Sequence, residues 1–118
     1  MKVIKYLSLI ALTVTTIFLT GCSDSPNAVA EKWANAIVDG DVSRANKYSV
    51  SNSAEANGIL ILMFQGMDSN EKAEQIKQMK TALKKTAEID GNDAIISNGD
   101  FEFKLRKVDG NWKVVVDK

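Results

Sequence analysis

Asp109-Gly110 sits between two stretches of alternating side chains, residues 101–108 and 112–116, and this constrains the fold more than any other feature of the chain. Asp-Gly is one of the few dipeptides that readily supplies the two positive-φ positions of a tight hairpin turn. With a two-residue turn, Phe103 faces Val116, Leu105 faces Val114, and Lys107 lays its stem beside Trp112. A three-residue loop would move the pairing by one and set Arg106 opposite Val114, mixing the apolar and charged faces, so the two-residue register is expected. Phe103, Leu105, Val114 and Val116 then face a core, while Glu102, Lys104 and Lys113 face solvent.

Two shorter strands are expected ahead of this hairpin, over residues 86–90 and 94–97, divided by the turn residues Gly91-Asn92-Asp93. Upstream of residue 86 the hydrophobic period changes from two to nearly four. Ser25 suits an N-cap and Pro26 the first helical position, where its missing N–H costs nothing. Val29, Trp33, Ala36 and Ile37 follow as one apolar stripe, and Gly40 ends the helix. Asp41 recaps at once for a second helix to about residue 49, marked by Val42, Ala45 and Tyr48. Residues 49–53 read as a polar connector. Residues 54–67 then carry Ile59-Leu60-Ile61-Leu62-Met63-Phe64 without a polar break, the pattern of a buried strand or of a helix apolar all round; length and Ala54-Glu55-Ala56 favour a buried helix. Asp68 with Glu71 resembles a capping box, with Ala73, Ile76, Met79 and Leu83 as the inner stripe of the helix that follows. Helices first and antiparallel strands last give an α+β domain.

The N-terminus settles how much chain is available for that domain. Lys2 and Lys5 precede an apolar run over residues 6–20, which ends at Gly21 and the only cysteine, Cys22. This has the form of a secretory signal closing in a bacterial lipobox. A membrane span needs about 20 apolar residues, and this run is shorter. The lipobox resemblance implies cleavage before Cys22, a diacylglyceryl thioether on its thiol and acylation of its amine. The expected organisation is a signal peptide over residues 1–21, a lipidated cysteine and short tether over 22–25, and a single domain over 26–118. Three extended tether residues span only about 10 Å, which holds the domain close to the bilayer. The expected place is the cell membrane, lipid-anchored and facing the periplasm or exterior. In a Gram-negative host, Ser23 after the cysteine points to the outer membrane. Without its signal the chain keeps 13 basic against 15 acidic side chains, a balance that gives no case for nucleic acid. With Cys22 lipidated, no thiol remains for a disulfide, redox centre or cysteine nucleophile.

Histidine is absent, which excludes Ser-His-Asp and Cys-His arrangements and any histidine metal site, and removes the commonest general base near neutral pH. Ser69-Asn70-Glu71-Lys72 matches the Ser-x-x-Lys spacing of penicillin-binding enzymes. One such match is expected by chance here, and Ser-Asp-Asn and Lys-Thr-Gly are missing. Asp90, Asn92 and Asp93, with Asp100 nearby, offer oxygen ligands but lack the bidentate glutamate of a calcium loop, so they read as turn residues. Lys77, Lys80, Lys84 and Lys85 put four positive charges on one helix with no acid between them, a solvated face or one for anionic headgroups. Trp33, Tyr48, Phe64, Phe101, Phe103 and Trp112 are available as core or as pocket lining.

At Ser25-Pro26-Asn27-Ala28-Val29-Ala30-Glu31-Lys32-Trp33, continued by Ala36-Ile37, Gly40-Asp41, Ala45 and Tyr48, the chain resembles a family of small bacterial lipoproteins of unknown function. That family is grouped with the nuclear transport factor 2-like, or cystatin-like, folds. Its closing Asp-Gly-x-Trp-Lys-Val strand is matched by Asp109-Gly110-Asn111-Trp112-Lys113-Val114, and residues 49–85 have no counterpart in it. The resemblance implies a curved antiparallel sheet around the first helices, with a cone that in some relatives holds a ligand or an active site. It implies no activity. The reading that follows is a non-enzymatic, lipid-anchored envelope protein, with no cofactor or metal, binding a protein or a small apolar ligand beside the membrane. Trp33, Tyr48, Phe64, Phe103 and Trp112 are its pocket or core aromatics. The alternatives are an inhibitor or immunity-type lipoprotein against a toxin or hydrolase, and a carboxylate-based enzyme in the cone. A buried acid with a raised pKa would favour the enzyme, an exposed apolar rim a protein partner, and an empty apolar cavity a small ligand.

Overall fold

The computed structural model describes residues 24–116; the expected signal peptide over residues 1–21 and Cys22 lie outside them. Helix α1 spans Pro26–Asp39 and α2 Val42–Lys47. A single 3-10 turn, Ser51–Ser53, leads into α3, Ala54–Gln65, and α4 runs over Ser69–Leu83. The strands are β1 Glu88–Asp90, β2 Asp93–Ser97, β3 Glu102–Val108 and β4 Asn111–Val115, in one antiparallel sheet ordered as in sequence. The architecture is therefore α+β, helices first and a four-stranded antiparallel sheet last.

Local chemistry sets the starts of α1, α2 and α4, and the end of α1, where the sequence placed them. Ser25 Oγ accepts from Ala28 N at 3.2 Å, Asp41 from Arg44 N at 3.0 Å and Asp68 from Glu71 N at 2.8 Å. Each satisfies a backbone donor that the helix leaves orphaned. Gly40 takes the left-handed conformation at φ 73°, and Asp41 N returns to Ala36 O at 2.9 Å, closing a Schellman-type end. Helix α2 stops at Lys47, two residues short of expectation, because Tyr48 and Ser49 turn to join the sheet. Tyr48 O accepts from Val114 N at 2.8 Å and Val50 N donates to Val114 O at 2.9 Å. The outer edge of β4 is thereby covered, which removes a template for edge-to-edge pairing.

The hairpin forms in the expected register, Leu105 opposite Val114 and Lys107 opposite Trp112, with Asp109 at φ 52° and Gly110 at φ 82°. These are the two positive φ values of a type I′ turn. Phe103, Leu105 and Val114 are buried against the helices, and Glu102 and Lys104 are exposed. Val116, past the end of β4, is only half-buried. Strand β1 is shorter than residues 86–90 and exposed throughout, since no helix covers that edge. Helix α1 is central, packing Val29, Ala30, Trp33 and Ile37 into the core with Ile96, Phe103, Leu105 and Val114 of the sheet. Trp33 meets Phe103 edge-on, ring centroids 6.1 Å apart at 89°, which packs the middle of α1 on β3.

Two expectations about the helices are corrected. Ala73 does not lie on the inner stripe of α4 but is exposed; Met79 and Ala82 are the buried positions, with Ile76 and Leu83 half-buried. Helix α3 is not buried all round: Leu62, Met63 and Ile59 are 70%, 58% and 49% exposed. Where a run is apolar on every side, which side is covered depends on where neighbours happen to lie, and here they lie beneath Ala56, Asn57, Ile61 and Phe64.

Candidate functional site

Helix α3 builds the candidate site from two faces. Its inner face buries Ala56, Asn57, Ile61 and Phe64. Its outer face sets Ile59, Leu62 and Met63 at i, i+3 and i+4, one contiguous stripe on the surface of a helix. Scattered exposed apolar side chains are ordinary on any protein, whereas these three are contiguous and border a groove.

The groove runs beneath that stripe, between α3, the middle of α4 and the far half of α1. It encloses about 110 Å³ and is lined by Trp33, Ile37, Leu60, Met63, Phe64, Met67, Met79 and Phe101, with Gln75 its single polar side chain. Three methionines give it a wall that can adapt to different shapes. A neighbouring cleft of about 240 Å³ shares Trp33, Leu60 and Phe101 and opens toward Glu102, Lys104 and the end of β4. Drug-sized ligands are usually enclosed by clefts of about 300–1,000 Å³. These two are small and open by comparison, grooves rather than a deep cone. A shallow trough of about 340 Å³ crosses the outer sheet face by Ile95, Lys104 and Arg106.

Of the aromatics singled out in the sequence, Trp33, Phe64 and Phe103 come together around these grooves, with the Phe101 ring tilted against that of Phe103, centroids 4.9 Å apart. Tyr48 and Trp112 lie elsewhere. They meet in a cleft of about 130 Å³ at the start of the domain, with Asp24, Val29 and Lys113. Lys32 and Lys47 lie 5.7 and 5.5 Å from the Tyr48 ring centroid, and Lys107 lies 5.2 Å from that of Trp112. Asp24 hydrogen-bonds Lys32 at 2.6 Å, and this bond holds the ammonium above the usual lysine range. Cys22 falls outside the described residues.

A buried polar cluster under α3 was not singled out in the sequence. Asn57, fully buried, accepts from Trp33 Nε1 at 2.9 Å and donates to Ser49 Oγ at 2.7 Å and Asn46 Oδ1 at 2.9 Å. Ser49 Oγ in turn donates to Ala45 O at 2.9 Å, and Ser53 Oγ accepts from Val116 N at 2.9 Å. Among the described residues no buried side-chain donor or acceptor lacks a partner. The cluster is consequently a clamp joining α1, α2 and α3, with its polar capacity already used. Asn57, a polar residue just ahead of the apolar run 59–64, is its one trace in the sequence.

Carboxylates are placed at the surface. Every described Asp and Glu is exposed except half-buried Asp41, which caps α2. Asp68 is held below the usual aspartate range by the Glu71 backbone N–H that it caps. Ser69 and Lys72 are at the start of α4, where Lys72 lies 5.9 Å from the Phe64 ring centroid. Asp93 pairs loosely with Arg106 at 3.5 Å beside the β1–β2 turn. Asp100 belongs to a separate turn, where Asn98 Oδ1 accepts from Asp100 N and Phe101 N at 2.8 and 2.7 Å. Among the described residues no three acidic or cysteine side chains gather as metal ligands, and no helix is long and apolar enough to cross a membrane.

No protein-family model matches the chain, and no curated protein or solved structure is similar to it.

Proposed function

We propose that this protein is a lipid-anchored bacterial envelope protein whose domain binds another protein through the outer face of α3, without catalysing a reaction. The observation that carries the reading is the stripe of Ile59, Leu62 and Met63, exposed in water beside a groove with almost no polar lining. Keeping such a surface wet costs about 25 cal/mol per Å² of apolar area relative to covering it. A protein partner suits it better than a small ligand, because the grooves are shallow and their rim is the more exposed part. Surface carboxylates and the absence of histidine leave few means of activating a nucleophile near pH 7. The lipobox at Cys22 supports the anchor, and the closing hairpin supports kinship with the cystatin-like lipoproteins.

The test is complementation of a deletion strain. Leu62→Glu with Met63→Glu should abolish function while leaving the far-ultraviolet spectrum and melting point near wild type, since both side chains are already exposed. Changing each surface carboxylate singly to its amide should leave function intact. One Asp→Asn or Glu→Gln change that abolished function with fold and binding preserved would make the protein an enzyme. The anchor has its own test: mass spectrometry of protein from its host should find acyl chains on Cys22, and their absence would end that part of the reading.

A further inference from the structure

The start of α1 and the end of α4 are bolted together. Asn27 Nδ2 donates to Leu83 O at 3.1 Å and to Lys85 O at 2.8 Å, satisfying carbonyls that the end of α4 would otherwise leave free. Residue 85 is thereby fixed beside residue 27, although 58 positions separate them in the chain. Asp24 is only three residues before Asn27, and the two residues from Asp24 back to Cys22 span at most about 7 Å. The basic end of α4 therefore lies next to the place where the chain leaves the domain toward Cys22.

The charge there is unusual for this protein. Lys77, Lys80 and Lys84 fall at i, i+3 and i+7, one face of α4, and Lys85 follows just past its end; all four are exposed. Acids on α4 are confined to Glu71 and Glu74, in its first half. The ion pairs among the described residues join Lys32 to Asp24, Arg44 to Asp39 and Asp41, and Arg106 to Asp93, and include none of these four lysines. The apolar groove, by contrast, reaches Ile37, eleven residues and about 16 Å along α1 from its first turn.

We infer that the lysine face of α4 docks on anionic phospholipid headgroups of the membrane in which the protein is anchored. The inference rests on the anchor at Cys22 proposed above. Positive charge on the domain meets negative charge on the leaflet, and the short tether lets the end of α4 approach within a Debye length of about 8–10 Å, where screening is incomplete. Each lysine at an anionic surface raises the docked ratio about five-fold, so even two in contact give about 25-fold. Docking would hold the domain in one orientation rather than letting it swing on its lipid.

Amine footprinting reads this directly on the wild-type protein. Protein purified from its host is reconstituted in phosphatidylcholine vesicles with or without phosphatidylglycerol and acetylated briefly, and peptides are quantified by mass spectrometry. With phosphatidylglycerol, acetylation of Lys77, Lys80, Lys84 and Lys85 should slow by at least about three-fold, while Lys104 on the outer sheet face is unchanged. Protection should disappear at about 1 M salt, where the Debye length is near 3 Å. Lys84→Gln with Lys85→Gln should also expose Lys77 and Lys80. Equal labelling on both vesicles, protection that survives salt, or protection that appears only when other envelope proteins are added would overturn the inference. If Cys22 carries no lipid, the anchor fails, but vesicle binding and footprinting of the same protein still decide whether the lysine face recognises anionic lipid.

Discussion

Asn57→Ala tests whether the polar clamp beneath α3 holds the helices together. The substitution removes the hydrogen-bond acceptor of the Trp33 indole N–H, a bond of 2.9 Å on a residue that is 6% exposed. An orphaned buried donor costs about 1–3 kcal/mol. The lost amide leaves a void of roughly 40 Å³, which adds about 1 kcal/mol. Ser49 loses an incoming bond but still donates to Ala45 O, and half-buried Asn46 can turn to water, so neither adds much. The total is about 2–4 kcal/mol, set against about 5–14 kcal/mol for a domain of this size. The variant should fold and melt about 10–30 °C lower. Urea unfolding followed by far-ultraviolet circular dichroism would measure the loss, and a double-mutant cycle would assign it. In a Trp33→Phe background there is no indole N–H to orphan, so Asn57→Ala should cost about 1–3 kcal/mol less there. A coupling below about 0.5 kcal/mol would refute the reasoning, because independent sites add to within that margin.

Leu105→Ala, at a core position 2% exposed, should cost about 2–5 kcal/mol in urea unfolding, whereas Glu102→Ala on the outer sheet face should stay within about 0.5 kcal/mol. Gly110→Ala meets no atom within 4 Å but must hold φ at 82°, so it should destabilise by about 1–2 kcal/mol purely through backbone strain. An unchanged unfolding midpoint would deny the type I′ turn. Asp68 titrates lower in the folded chain than when unfolded. Its contribution is therefore complete at neutral pH and down to the ordinary aspartate range, and is lost as the pH falls further through the folded value. A carboxyl NMR titration should place Asp68 below a short model peptide, and an equal or higher midpoint would count against the cap.

The parts of this protein that its sequence determined are those governed by neighbours along the chain. Ser25-Pro26, Gly40-Asp41, Asp68 and Asp109-Gly110 act through backbone groups a few residues away, so helix ends, the hairpin turn and its register could be read directly. The α+β order followed from the change of period near residue 86. What only the tertiary structure decided involves partners far apart in sequence. Nothing in residues 59–64 distinguishes their sides, so the exposure of Ile59, Leu62 and Met63 appears only once α1 and α2 have covered the other side of α3. Asn57 acquires its role only when Trp33, Ser49 and Asn46 surround it. The lysines of α4 were legible as a charged face, but their place beside the tether depends on two hydrogen bonds from Asn27 across more than fifty residues. Local backbone chemistry is written in consecutive letters, while coverage and proximity are properties of the packed chain, set by which surfaces meet when the core closes.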